Sequence, residues 1–288
     1  MSTFTAALVQ LTSSDDPLAN LPVTEGFVRE AAAAGARLIV TPEVTNCVSS
    51  SRTHQRAVLC EEDADPTLAR LRAVTEELGV WLVLGSLALK AGEPGEDRFA
   101  NRQFLIAPTG AVVARYDKIH MFDVTLGGGE DYRESEGFRP GARAVVAEAA
   151  IPGAGQAAKL GLTICYDMRF PALYRALAEA GAEVLTAPAA FTVPTGRAHW
   201  SVLLRARAIE TGSVVLAAAQ AGRHAASRGK TRETWGHSLA VGPWGEVLAE
   251  ADGTTPGVTL VPVDLAAVAE ARRKIPTLPN ARPFAPPT

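Results

Sequence analysis

Short apolar runs alternate with amphipathic stretches along the chain, and turn residues separate them. FTAALVQL (4–11) reads as a first strand. VTEGFVREAAAAGA (23–36) has helical spacing, with Thr24 positioned as its cap and Gly35 ending the last turn. RLIVTPE (37–43) is a short apolar run broken by Pro42 and predicts a buried strand ending at Glu43. DPTLARLRAVTEELG (65–79) predicts a second helix, and VWLVLGSLAL (80–89) the strand after it. NRQFLIAPTG (101–110) and AVVARYDKIH (111–120) predict strands joined by a hairpin turn at PTG.

The same order resumes after a glycine-rich loop. KLGLTIC (159–165) predicts a strand, FPALYRALAEAGA (170–182) a helix, and EVLTAPAA (183–190) another strand. A helix over 199–211 leads to strand SVVLAAAQ (213–220). A hairpin follows over 238–251, with PWG at its turn. GVTLVPVDL (257–265) closes the sheet, and AAVAEARRKI (266–275) makes a terminal helix. This order predicts an α/β fold, a mixed sheet with helices on its faces. One domain is expected over 1–275, followed by a Pro-rich tail at 276–288.

Composition narrows the function classes. With 288 residues, the chain buries about three quarters of the surface its unfolded form exposes. A net charge of −3 with no basic tract argues against nucleic acid as a partner. No run of 18 apolar residues predicts a membrane span, and the N-terminus has no positively charged leader. Cys47, Cys60 and Cys165 are odd in number and irregularly spaced, which predicts reduced thiols and a cytoplasmic location. The five histidines form no ligand-spaced cluster, so neither a metal nor another cofactor is expected. The triplet Gly127–Gly129 lacks both phosphate-binding glycine patterns and is read as a flexible rim.

Three polar side chains fall where apolar strands finish: Glu43, Lys118 and Cys165. Ligands of open α/β sheets bind beyond such ends. Taken singly, each has an ordinary structural reading, as a solvated acid, a surface lysine and a small buried thiol. Together they supply a base, an ammonium and a nucleophile. A thiol needs a base or a positive charge to become nucleophilic. A buried carboxylate, its pKa expected to be raised, takes the thiol proton and passes it on. A fixed ammonium stabilises an oxyanion.

TPEVTN, RYDKIHMFDV and GLTICYDMRFP resemble, in order and spacing, the three active-site blocks of the nitrilase superfamily of carbon–nitrogen hydrolases. The likeness extends through PAAFTVPTGRAHWSVLLRARAIET and TWGHSLAVGPWGEVLAEA to ARRKIP, and it is nearest to the Nit-type amidase branch. That resemblance implies a four-layer α-β-β-α sandwich. It also implies a homodimer or larger assembly.

It further implies roles: Glu43 as general base then acid, Lys118 and the Tyr166 N–H as oxyanion donors, and Cys165 as nucleophile. Glu134, in DYRES, matches a second glutamate that orients the lysine. The reaction implied is hydrolysis of a small carboxylate-bearing ω-amide, of the deaminated glutathione or 2-oxo dicarboxylate monoamide type, to acid and ammonia through a thioester. A carbamoyl amino acid or aliphatic amide hydrolase is the alternative. A non-catalytic scaffold or thiol sensor is a remote one.

Arg169, Arg197 and His199 are candidate substrate contacts, with Arg169 also read as the partner of a carboxylate at the elbow and His199 as a structural residue near the pocket. Arg52, Arg133, Arg197 and Arg223 are candidates to hold a substrate carboxylate. Arg205, Arg207 and Glu210 are read as a charge network on one helix.

Overall fold

A computed structural model describes residues 2–93, 95–126, 131–285 and 287. The first half runs β1 (Thr3–Gln10), α1 (Pro17–Ala33), β2 (Leu38–Val40), α2 (Arg52–Val58), α3 (Pro66–Leu78), β3 (Trp81–Lys90), β4 (Phe99–Ile106) and β5 (Val112–Asp117). A small hairpin, β6 (Asp123–Thr125) and β7 (Asp131–Arg133), leads into the second half. There follow β8 (Val145–Ala149), β9 (Ala158–Leu162), α4 (Pro171–Glu179), β10 (Val184–Thr186), α5 (Val193–Thr211) and β11 (Val214–Ala217). The chain ends with β12 (Ala221–His224), β13 (Arg232–Trp235), β14 (Leu239–Val241), β15 (Val247–Glu250), β16 (Gly257–Asp264) and α6 (Leu265–Lys274).

Two six-stranded sheets form, in orders β16-β1-β2-β3-β4-β5 and β15-β14-β11-β10-β9-β8. The alternation of strand side chains assigns their faces. In β1, Ala7 and Val9 join Ile39, Leu82 and Phe104 against Val28 of α1 and Leu71 and Val74 of α3. The alternate residues Ala6 and Leu8 join Leu38 and Val83 in one cluster with Leu160, Leu162 and Val184 of the other sheet. Gln103 donates to the Thr186 hydroxyl at 3.1 Å between the two sheets. Tyr174 and Leu177 of α4 and Leu204 of α5 pack on the far face of the second sheet. These are the four layers, helix–sheet–sheet–helix, and both sheets are apolar on both faces. Each fully buried Leu, Ile or Val contributes roughly 1.5–3 kcal/mol, so the double-sheet core dominates the stability. Among the described residues no helix is long and apolar enough to cross a membrane.

Several boundaries differ from the sequence reading. α1 begins at Pro17, where Asp16 caps it by accepting from Leu18 N (2.9 Å) and Ala19 N (3.3 Å). Thr24 is therefore no cap; it is buried inside the helix and donates its hydroxyl to Asn20 O. α5 begins at Val193 rather than 199, because Pro194 in a first turn needs no hydrogen bond from its missing N–H. The central strands are shorter than their apolar runs: β2, β10 and β11 have three, three and four residues. Polar loops begin where the runs end. α2, β8 and the hairpins β6–β7 and β12–β13 carry no periodic signal of useful length.

The topology gathers the strand ends. β1, β2 and β3 are mutually parallel. β3–β4 and β4–β5 are antiparallel steps, so β5 regains the direction of β2. Residues just past β2 and just past β5 thus emerge on one side of the first sheet. In the second sheet, β9, β10 and β11 are likewise parallel, and Cys165 follows β9.

Candidate active site

Glu43 follows a tight exit from β2. Val44 has φ +47°, a left-handed conformation that costs a β-branched residue on the order of 1–3 kcal/mol. Ser86 holds it there: its Oγ accepts from Val44 N at 2.8 Å and its carbonyl from Thr45 N at 2.9 Å. Gly85 lets the exit pass, since a Cβ there would lie 1.7 Å from the Thr41 carbonyl oxygen. Glu43 is 4% exposed, yet the hydrogen-bond donors around its carboxylate suit the ionised form. Oε1 accepts from Lys118 Nζ at 2.8 Å and from Asn101 Nδ2 at 2.9 Å, and Oε2 accepts from Ala190 N at 2.8 Å.

Lys118 leaves β5 and is also buried, 2% exposed. Beyond Glu43 it reaches both oxygens of Glu134, at 3.0 and 2.9 Å. Glu134 lies in a 3-10 turn, Glu134–Glu136, and its Oε2 accepts from Phe122 N at 2.6 Å. Asn101, inside β4, reaches toward Glu134 as well, at 3.5 Å. The sequence reading missed Asn101. Its signal was an amide in a strand flanked by apolar residues on both sides of the polar run Asn101–Gln103, a buried position that demands hydrogen-bond partners.

Cys165 opens a 3-10 turn, Cys165–Arg169, at φ +48°, with its own N–H donating to Pro188 O at 2.9 Å. The turn is braced from beneath by Asp167, which is fully buried. Its carboxylate accepts from Ile164 N (2.9 Å), Tyr116 Oη–H (2.7 Å) and His120 N (3.0 Å), with His120 Nδ1 at 2.7 Å. Arg207 Nε donates to Met168 O at 2.8 Å from the helix behind. The result presents the sulfur against the Glu43 carboxylate, with the Ala190 N–H also directed at it.

Burial and charge fix the resting protonation. Burial works to raise the Glu43 pKa, but the Lys118 charge and hydrogen bond, with a further contribution from Arg232, outweigh it and hold the acid below the usual glutamate range. The raised pKa expected of a buried carboxylate is thus reversed, because this one is ion-paired. Burial opposes the Lys118 charge, yet Glu134 and Glu43 keep its pKa raised. Burial and then the Glu43 charge push the Cys165 thiol well above its ordinary value, with only partial relief from Lys118. The cluster therefore rests as carboxylate, ammonium and neutral thiol. Such a set can move a proton from sulfur to carboxylate when an electrophile arrives.

These groups line a cavity of about 970 Å³. Arg52 and Arg133 line it too, and so do Lys230 and Arg232, which the sequence reading overlooked. Arg169, Arg197, His199 and Arg223 are not among its lining residues. Arg197 and His199 fall on the exposed face of α5, a consequence of the helix beginning six residues earlier than expected. Arg169 does not partner the elbow carboxylate, which Tyr116 and His120 occupy. It lies 5.8 Å over the Tyr166 ring and 5.3 Å over Phe191, and contacts His199 Nδ1 at 3.3 Å. Of the expected network on α5, Arg207 pairs with Glu210, whereas Arg205 donates to Gly245 O instead. The triplet Gly127–Gly129 lies outside the described residues.

The chain is similar to known proteins over most of its length. The family described as carbon-nitrogen hydrolase matches residues 5–273. A deaminated glutathione amidase of Homo sapiens is 40% identical over 282 residues, covering 96% of this chain and 82% of that one. One from Yersinia enterocolitica is 39% identical over 254 residues, covering 87% and 83%. The solved NitFhit protein of C. elegans superposes with a TM-score of 0.84 at 31% identity, over 98% of this chain and 66% of that longer one.

Proposed function

Because the chain belongs to the carbon–nitrogen hydrolase family, and its amidase-named relatives make it an amidase, we propose that it cleaves a carboxylate-bearing amide through a thioester on Cys165. The observation that carries this is Lys118 Nζ bonded at 2.8 Å to Glu43 and 2.9 Å to Glu134, with the Cys165 sulfur against that same Glu43.

Glu43 draws the proton from Cys165 as sulfur attacks the amide carbonyl. Lys118 stabilises the oxyanion, together with the Tyr166 N–H in the first turn of its short helix, where intrahelical acceptors are lacking. Glu134 holds Lys118 in place. Glu43 then gives its proton to the departing amine, which breaks the carbon–nitrogen bond and leaves the thioester. Water, deprotonated by Glu43, attacks the thioester; the acid departs and the proton returns to sulfur.

The relatives named deaminated glutathione amidase support a substrate with a short acyl chain ending in carboxylate. In deaminated glutathione itself the leaving amine is a dipeptide rather than ammonia. A cavity of about 970 Å³ accommodates that larger leaving group. The test is intact-protein mass spectrometry after brief exposure to ω-amides and dipeptidyl amides, with the released amine identified. We expect the mass of one acyl group on Cys165 and release of acid and amine in equal amounts. Carbon dioxide accompanying ammonia points to a carbamoylase; no adduct and no product from any amide ends the proposal.

The protonation states also predict a pH profile. Reaction needs Glu43 ionised and Cys165 protonated. Glu43 is held below 4.5 and Cys165 well above 9.0. The profile of kcat/KM is therefore expected to be flat through neutrality, with its acid limb below the ordinary glutamate value. A limb near neutral pH contradicts the ion-paired base.

A further inference from the structure

Arg232 lines the cavity without a role in the steps above. It stands on β13, which is sutured to the segment leading away from β10. Trp235 N donates to Phe191 O at 2.9 Å, Thr234 pairs with Thr192, and Arg232 Nη2 donates to Ala190 O at 2.5 Å. Ala190 is the residue whose N–H donates to Glu43 Oε2 at 2.8 Å and is directed at the Cys165 sulfur. One guanidinium thus grips the residue on which base and nucleophile converge. Among the described residues it has no carboxylate within salt-bridge distance, and its Nε is buried without a partner. Leaving a buried donor unmade is costly, so the weight of this arginine falls on what its other nitrogens do.

The geometry points to Arg232 as a positioning residue for the reaction: its bond to the Ala190 carbonyl fixes one side of Ala190 while Gln220 N, donating to Ala189 O at 2.8 Å, fixes the peptide whose N–H meets Glu43, so the two together hold Ala190 against the base and nucleophile. This rests on the reading of Glu43 as base and Cys165 as nucleophile. Its charge acts in the same direction. The groups facing Glu43 are Lys118 past β5, Cys165 past β9, Arg232 on β13 and, behind Lys118, Glu134; of these Lys118 dominates and Arg232 adds to it in favouring the carboxylate. Loss of the clamp frees the Ala190–Phe191 peptide to turn and loosens Ala190 against Glu43, so proton transfer from sulfur slows while the cavity keeps its shape. A rival role, gripping a substrate carboxylate, affects binding instead.

The experiment compares Arg232→Gln and Arg232→Lys with the parent on two amides of equal length, one ending in carboxylate and one neutral, through the acid limb. Positioning predicts that kcat falls about tenfold or more for both amides in the Gln variant while KM stays within about twofold. The acid limb moves up toward the ordinary glutamate value, and Lys recovers part of the loss. A rise in KM confined to the carboxylate-bearing amide overturns the inference in favour of substrate binding. Kinetics and pH profile equal to the parent's overturn it outright.

Thermal midpoints monitor folding, and the Lys variant carries the test if Gln does not fold. Should neither amide be turned over, the rate of Cys165 alkylation by iodoacetamide gives the same comparison. A parallel Glu43→Gln variant separates the two readings. If it is as active as the parent, the assignment of the base fails and this inference with it. If it is inactive while Arg232→Gln matches the parent, this inference alone falls.

Discussion

Replacing Cys165 with alanine is expected to abolish measurable amide turnover while leaving the fold intact. Removing the nucleophile of a covalent hydrolase costs on the order of 10⁶ in kcat. The other thiol of the cavity is not placed to substitute. Cys47 lines the same cavity, but burial and then Asp15 and Asp16 push its pKa up to about 12, and its sulfur contacts the Asp15 carbonyl oxygen at 3.5 Å. It has no carboxylate base positioned as Glu43 is for Cys165. Stability should change little. The sulfur is a single atom, and the φ of +48° is no harder for alanine than for cysteine. Purified Cys165→Ala should therefore unfold within a few degrees of the parent, and show no acyl adduct and no product. Undiminished turnover by a folded variant would refute the covalent route.

Much of this site is legible in the sequence because its chemistry sits at the ends of strands, where an apolar run stops on a polar residue. Glu43, Lys118 and Cys165 each occupy such a break, and the doubly parallel topology brings those breaks to one place. Asn101 and Arg232 are less visible, for different reasons. Asn101 is interior to β4, where alternation reads it as one face of a strand. Arg232 is in a four-residue strand whose significance comes from pairing with a segment some forty residues earlier.

The misplacement of Arg197 and His199 comes from one boundary. With α5 starting at Val193, helical spacing places Gly196, Trp200, Leu204 and Arg207 inward and leaves Arg197 and His199 outside. The Glu43 protonation state was misjudged for an electrostatic reason. Burial alone raises a carboxylate pKa, but an ammonium at 2.8 Å in the same desolvated site reverses the sign, and the distance is not a property of sequence.

Replacing Lys118 with methionine should be the second severe change, and it should invert the pH dependence of stability as well as removing activity. Loss of one oxyanion donor costs on the order of 10²–10³ in kcat. Methionine fills most of the volume but leaves Glu43 and Glu134 facing the same buried space with no cation between them. Breaking a buried ion pair from one side costs about 3–5 kcal/mol, because a charge is left uncompensated.

In the parent, the folded Glu43 pKa lies below its unfolded value of 4.5, so the ion pair stabilises the protein above that pH and the contribution is lost as pH falls through the folded pKa. Without Lys118, burial and mutual repulsion raise the folded pKa of one of the two acids above 4.5. The variant then binds a proton more tightly folded than unfolded, and its stability rises as pH falls toward 4.5 and is lost as pH climbs through the raised value. Urea unfolding at several pH values should show the parent's contribution flat from neutrality down to the ordinary glutamate value and lost below it, while the variant gains stability as pH falls through that same upper window. A variant as flat as the parent between neutrality and the ordinary glutamate value, or as stable as the parent at neutral pH, is incompatible with Lys118 as the counter-ion of two buried carboxylates. The same charge that readies Glu43 to take a proton also makes the fold depend on that glutamate staying ionised.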